Sequence, residues 1–318
     1  LLRDSMHNLP KSVNLNGLTN KDIEKIRELC RIDFKSGSKD PKINERLRTM
    51  MIEHHRALCT GFHNIGAIKD FEWEVETIEN APEVLKRAYP LHPNLERLLN
   101  EEIDQQMRNN LLISTTVGNR SPCLAVPKKP DQTQKERVRL LSDFRCVNKG
   151  VVNQSFPLPS FSDIVNWFAY EKPKYLSTMD IFSGYSQIML SEKSQKLVGT
   201  VTRSQQFTYK RAPQGLASSS ATFLKKMHER MGNAVRTSHA TTWCDDFLFG
   251  SQTESGMLDN IEMILKCAEE NGITFSAFKG NFIQQEVEFA GCYWTPQGVK
   301  ADDSKIKAVS YTHLTLPT

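Results

Sequence analysis

From residue 123 onward the chain carries a series of short runs rich in β-branched and aromatic residues: CLAVPKK, RVRLLSDFR, KYLSTMDIF, KLVGTVTR, QFTYKRAP, TTWCDDFLFG, GITFSAF and VEFAGCYW. Several are separated by only a few residues, too few for the crossover helix that parallel neighbours need, so adjacent antiparallel pairing is expected. Helical patterns fall at 218–232 and 254–271, the second stopped by Asn271-Gly272. The class that follows is α+β, with an antiparallel sheet packed on helices rather than a doubly wound parallel sheet.

The residues before these runs read as a small, mainly helical segment. In LTNKDIEKIRELCRIDF, residues 18–34, Ile23, Ile26, Cys30 and Phe34 share one helical face, and Thr19 with Asp22 has the spacing of a capping box. Pro93 stands in the first turn of an amphipathic pattern, PNLERLLNEEIDQQMRNNLL, and a boundary is expected near it. His54 and His55 are adjacent, which points them about 100° apart on a helix, and they are expected at the surface rather than on a metal.

With 318 residues, 39% of them hydrophobic, the chain can bury a sizeable core. No apolar run approaches the roughly 20 residues that span a bilayer, and the first ten residues lack the layout of a signal peptide, so an intracellular protein is expected. The seven cysteines are scattered without a C-x-x-C pair, which fits reduced, packed thiols. Arg120 to Lys149 carries eight basic residues against three acidic ones, an excess larger than the net charge of the whole chain, +4, and such a stripe suits a polyanion.

The chemistry centres on TTWCDDFLFG, where Asp245 and Asp246 stand between two β-prone runs and so at the tip of an expected hairpin. Two adjacent carboxylates repel one another unless a cation lies between them, although Asp-Asp by itself also suits a turn. A third carboxylate, Asp180, ends KYLSTMD just before a turn with Gly184. If the two strands are neighbours, three aspartates converge, as a two-metal phosphoryl-transfer site requires.

These segments, in this order, resemble the reverse transcriptase of LTR retrotransposons of the gypsy type. Asp180 with Ser183, Gly184 and Tyr185, then Trp243, Cys244, Asp245 and Asp246, match the family's two carboxylate boxes. The resemblance implies Asp180, Asp245 and Asp246, with Ile181, as the metal set for two Mg²⁺ ions, Mn²⁺ being an alternative. RAPQGLASSSATF matches the segment that seats the incoming nucleotide, giving Gln214 and Gly215, and Tyr185 becomes the ring that excludes a 2′-hydroxyl. LLSDFRCVN carries over Arg145 and Asn148 toward template and primer, while Arg139 and Lys128 or Lys129 fall where the triphosphate is contacted, Ile181 joining that dNTP set. GITFSAFKGNF makes Lys279 a candidate general acid, and VEFAGCYWTPQGV matches the hairpin that grips the primer. Phe289 and Gly291 are implied there as primer contacts together with Trp243 and Cys244; Tyr293 and Trp294 offer rings that can stack on nucleic acid, although aromatic strand residues are more often packed in a sheet.

The implied fold is a right-hand polymerase, with fingers from about residue 94 to 175 and a later return, a palm bearing the three aspartates, and a thumb that begins only near the end. The expected division is a helical spacer over 1–65, polymerase over 66–308, and a non-native tail over 309–318, VSYTHLTLPT. The chain opens on Leu1 and has no room for a full thumb, an RNase H domain or an integrase, so it reads as part of a Pol polyprotein. Implied partners are an RNA or DNA template with its primer, dNTPs and the other Pol segments; the implied location is a cytoplasmic retroelement particle or the nucleus. Oligomeric state is not legible. Two departures from the family pattern stand out: Trp243, where tyrosine or phenylalanine is usual, and Ala212 before Pro213, where methionine or leucine is usual. They raise the alternative of a decayed element that only binds nucleic acid. A two-metal nuclease or phosphatase would have no use for Pro-Gln-Gly or Tyr185, and a purely structural module would not explain the ordered boxes.

Overall fold

The computed structural model describes residues 8–128, 136–157 and 159–301. Lys129 and the 309–318 tail lie outside the described residues. The chain forms two compact units, one from the described parts of Leu1–Thr60, Leu158–Phe182 and His228–Thr318, the other from Gly61–Pro157 and Ser183–Met227.

The first unit is built on a five-stranded sheet in the order Lys35–Ser36, Asn281–Gln284, Tyr175–Asp180, Asp246–Ser251, Ala240–Trp243. Its pairs are antiparallel except at one edge, where Lys35–Ser36 runs parallel to Asn281–Phe282. Two of the three inner strands, YLSTMD and DFLFGS, are buried through their interiors, which is why they read as continuous runs rather than as alternations. Helix Glu254–Asn271 packs over both strands. It starts where Thr253 Oγ1 accepts from the Gly256 N–H (3.0 Å) and stops at Gly272 in the left-handed region, as Asn271-Gly272 led one to expect. Leu176 and Leu248 share one face of the sheet and pack against Ile164 and Phe168 of helix Phe161–Glu171 and against Val287, Phe289 and Trp294. Those last three belong to a small meander of strands Val287–Phe289, Cys292–Thr295 and Gly298–Ala301.

Helix Phe161–Glu171 was not among the expected helices. Its aromatic and β-branched composition hides the helical period, but Ser160 and Asp163 form a reciprocal capping box that starts it. The opposite correction applies to KLVGTVTR. Ser191 caps a helix, Glu192–Leu197, so only Thr200–Val201 is strand.

The expected capping box of Thr19 and Asp22 opens helix Asn20–Leu29, and Ile26, Leu29 and Cys30 are its buried side chains. The histidines depart from expectation. His55 is buried, with Nε2 3.1 Å from Asp22 Oδ1, and His54 Nδ1 lies 2.9 Å from Glu269 Oε2. Asp22 also takes two hydrogen bonds from Arg56, which hold its carboxyl well below the usual carboxylate range, so His55 and the more exposed Arg56 together tie the first helix down through Asp22.

The second unit carries another five-stranded sheet, in the order Leu112–Ser114, Gln206–Tyr209, Thr200–Val201, Ser121–Pro127, Val138–Ser142. Helix Pro93–Arg108, with Pro93 in its first turn, covers it through Leu98, Leu99 and Ile103, which join Leu112, Cys123, Val138, Leu140 and Phe207 in one core.

Candidate active site

The register of the first sheet brings the three aspartates together. Trp243 pairs with Asp246, so Cys244 and Asp245 form a two-residue tip, and Asp246 stands directly across from Asp180. Cys244 adopts φ 57, and the Ile181 N–H donates to the Asp245 carbonyl (2.8 Å), tying the tip to the end of the central strand. One carboxylate oxygen from each of Asp180, Asp245 and Asp246 therefore lies within 4.8 Å of the others. On the far side of the central strand Asn281 pairs with Thr178; two residues back, the same register sets Lys279 level with Asp180, with Nζ 2.6 Å from Asp180 Oδ2. A cation from the turn ahead of strand Asn281–Gln284 and a carboxylate from each of the next two strands thus form one row.

Burial first, then a hydrogen bond with Asp180 and the charges of Asp180 and Asp245, push the Asp246 carboxyl up to about 7, with Lys279 opposing. Asp245 is raised as well, chiefly by burial. The Cys244 thiol is raised by burial and by the neighbouring carboxylates, which makes it a poor nucleophile.

An open cleft of about 410 Å³ lies along this row, with Trp243 and Asn281 in its walls and Phe289, Ala290 and Gly291 along one side. Ala290 and Gly291 both have positive φ (50° and 76°), a two-residue turn of the kind that suits right-handed strand twist and takes glycine readily. Two primer-contact expectations change here. Phe289 is buried, so only its main chain can meet a ligand, and Trp294 is fully buried with its Nε1–H donating to the Phe289 carbonyl (2.9 Å). Ile181 is likewise fully buried, which leaves its main chain as the part available to a metal or nucleotide. Trp243 leans on the Leu248–Trp294 core and is half-buried, a packing that accommodates the indole.

The other expected residues lie in the second unit. Gln214 and Gly215 are exposed, with Gly215 at φ 87. Asn148 is committed to their loop: its Nδ2 donates to the Gly215 carbonyl (2.9 Å) and its Oδ1 accepts from the Ala217 N–H (2.8 Å). The Tyr185 hydroxyl lies 3.1 Å from Ser220 Oγ, and its ring meets Phe223 edge-on at 5.7 Å. Arg139 is exposed on strand Val138–Ser142 and Lys128 is exposed just past the end of the neighbouring strand Ser121–Pro127, with its Nζ 3.9 Å from Glu102. Arg145 makes a two-pronged ion pair with Asp143 (2.8 and 2.7 Å), whose Oδ2 also accepts from the Tyr89 hydroxyl (2.6 Å).

Sequence reasoning passed over Lys86, Arg87 and Tyr89, which line a cleft of about 480 Å³ together with Arg145 and Lys149. The signal was the basic stretch ending at Lys149; the pair Lys86-Arg87 sits outside it and was not counted. In the first unit Asn281 was also passed over, although strand alternation places it one pleat from Lys279.

Residues 126–294 match the family model described as reverse transcriptase (RNA-dependent DNA polymerase). The chain is 28% identical over 236 residues to the retrovirus-related Pol polyprotein from transposon gypsy of Drosophila melanogaster, covering 74% of this chain and 22% of that protein. It is 26% identical over 235 residues to the corresponding polyprotein from transposon 297 of the same organism, with the same coverage. It thus spans about a fifth of the length of these relatives. Among solved structures it is similar to the foamy viral protease-reverse transcriptase in complex with double-stranded DNA, with a TM-score of 0.75, 21% identity, and coverage of 97% of this chain and 51% of that one. The same viral protein in complex with an RNA/DNA hybrid gives a TM-score of 0.74 at 21% identity, covering 97% and 39%. The sheet register, the aspartate group and the family match agree: the chain belongs to the reverse transcriptase (RNA-dependent DNA polymerase) family.

Proposed function

We propose that this chain extends a DNA primer with dNTPs on an RNA template. The observation that carries the reading is the group of three aspartates at the ends of two neighbouring strands in a chain of this family. Three carboxylate oxygens form a hard, anionic donor set whose mutual repulsion and burial are relieved by a divalent cation, which suits Mg²⁺, with Mn²⁺ as a substitute. Such ions, when bound, supply activation of the primer hydroxyl and neutralisation of the triphosphate.

The chain's own residues would then divide the work. Asp180, Asp245 and Asp246, with the main chain of Ile181, hold the ions, and Lys279 offers a proton to the departing pyrophosphate. Lys128, Lys129 and Arg139 neutralise the triphosphate. Gln214 and the Gly215 main chain seat the nucleotide, on a loop that Asn148 fixes. Lys86, Arg87, Arg145 and Lys149 hold template phosphates beside the Tyr89 ring, a stacking surface for an unpaired base. Trp243, Cys244 and the turn at Ala290-Gly291 flank the primer end. In the parent polyprotein, residues 66–308 are the polymerase segment, beside protease, RNase H and integrase segments in a cytoplasmic particle.

The test is Mg²⁺-dependent dNTP incorporation on an RNA template annealed to a DNA primer, using the chain joined to the following polyprotein segment. Tight template-primer binding with no incorporation would instead support a decayed, binding-only element; cleavage of nucleic acid without nucleotide dependence would support a nuclease. Two substitutions refine the reading. Asn148→Ala should cost about 0.5–1.5 kcal/mol of stability and raise the dNTP KM several-fold with kcat less affected, because it frees the Gly215 loop. Tyr185→Ala should lower discrimination against ribonucleotides by roughly 10–200-fold; unchanged ribonucleotide selectivity would assign the ring to packing against Phe223 alone.

A further inference from the structure

Three ionisable groups stand in a row at the site end of the sheet, Lys279 from the turn before strand Asn281–Gln284, then Asp180 and Asp246, and Lys279 spends its ammonium on Asp180 Oδ2 at 2.6 Å. The lysine side chain is 66% exposed, whereas that of Asp180 is only 14% exposed. The acceptor is therefore held in place by the central strand, and the donor is a long, flexible arm with solvent on its outer side. Asn281 fixes the root of that arm, with its Nδ2 3.3 Å from Thr178 Oγ1 on the central strand. Whatever takes Asp180 Oδ2 as a ligand has to displace the ammonium first.

Resting on the metal-site reading above, we propose that Lys279 is an internal counter-ion of the aspartate group that competes with the divalent cation for Asp180, so that cation binding releases its ammonium. The device links two events with one side chain. The group that a phosphate oxygen requires becomes available only when the carboxylate it neutralised has taken a cation instead. An exposed lysine ion pair is weak enough to be displaced. A cation arriving at three carboxylates gains more than the single contact it breaks.

The test needs neither nucleic acid nor turnover. Mn²⁺ affinity is measured by calorimetry for the wild-type chain, Lys279→Met and Lys279→Arg, with Asp245→Asn as the site control and thermal melting as the check on folding. Lys279→Met removes the competitor while keeping the stem, and it should bind Mn²⁺ about tenfold more tightly; Lys279→Arg should not. In parallel, labelling of Lys279 by an amine-reactive reagent, read by mass spectrometry, should rise severalfold when Mn²⁺ is added to wild type and stay flat in Asp245→Asn. Equal Mn²⁺ affinity for wild type and Lys279→Met, or labelling indifferent to the cation, would overturn the proposal. Tighter binding by Lys279→Met with flat labelling would also overturn it, since the lysine would then repel the cation from where it stands without being displaced. If no cation binds any of these proteins, the metal-site reading fails and the proposal falls with it; if cation binding behaves as described but no primer is extended, the proposal stands and the polymerase reading fails.

Discussion

Replacing Asp246 by asparagine should abolish nucleotide incorporation, by on the order of 10³-fold or more, while making the chelated protein more heat-stable at pH 8. Both effects come from the same carboxylate. Asp246 faces Asp180 across the strand pair, with Asp245 beside it, and burial together with those two charges raises its carboxyl to about 7. A carboxyl raised above its unfolded value contributes stability that is fully present below the ordinary carboxylate range and is lost as pH climbs through about 7. In EDTA the wild-type melting temperature should accordingly fall between pH 5 and pH 8. The amide of Asp246→Asn has no charge to impose, so the variant should lose less of its melting temperature over that range, the raised Asp245 still contributing a fall, and exceed wild type at the upper end. Adding Mg²⁺ at pH 8 should raise the wild-type melting temperature and leave the variant unmoved, because a ligand stabilises only the state that binds it. A wild-type curve flat in pH under EDTA would contradict the crowding of the three carboxylates.

The second large effect is one of packing. Trp294→Ala should cost about 3–5 kcal/mol, since the indole is fully buried and surrounded by Phe168, Phe161 and Phe289 at centroid distances of 5.2, 5.9 and 6.3 Å. The substitution also strips the Phe289 carbonyl of its donor, which adds to the loss. Trp294→Phe keeps the ring contacts and forfeits the hydrogen bond, and it should cost about 1–2 kcal/mol. Urea denaturation of the three proteins separates the two contributions. Near-equal midpoints for wild type and Trp294→Ala would mean that the small meander is not a cooperative part of the first unit. The same indole supports the turn at Ala290-Gly291, so loss of the side chain should loosen one wall of the aspartate cleft.

The aspartate group was legible because its parts are local: a hairpin tip of two residues, and a strand ending in a third carboxylate. The antiparallel pairing of the central strands followed from connections too short for anything else. Legibility failed where a residue's task is set by a distant partner. Asn148 looked like a nucleic-acid contact, but both ends of its amide are engaged by a loop about 70 residues along the chain. Trp294 was left open between stacking on nucleic acid and packing in the sheet, because strand alternation cannot say which face a helix will cover, and that helix, Phe161–Glu171, was itself disguised by its composition. His55 looked exposed because nothing near it in sequence announces Asp22 as its partner.

The first sheet is completed from both ends of the chain: strand Asn281–Gln284 pairs on one side with Lys35–Ser36 and on the other with the central strand, and a separate two-stranded sheet joins Phe275–Ser276 to Leu58–Cys59. During synthesis the early strands must wait while roughly 250 further residues emerge, which takes tens of seconds at ribosomal rates. Once Asp246–Ser251 has paired and until Asn281–Gln284 is made, the Tyr175–Asp180 strand has one flank without its partner, a nascent edge of the kind that chaperones cover and that invites association with neighbouring copies. Trimming the N-terminal segment to residue 66 would make that exposure permanent on the outer side of Asn281–Gln284, so a shortened polymerase should be recovered in soluble form less readily than the full chain.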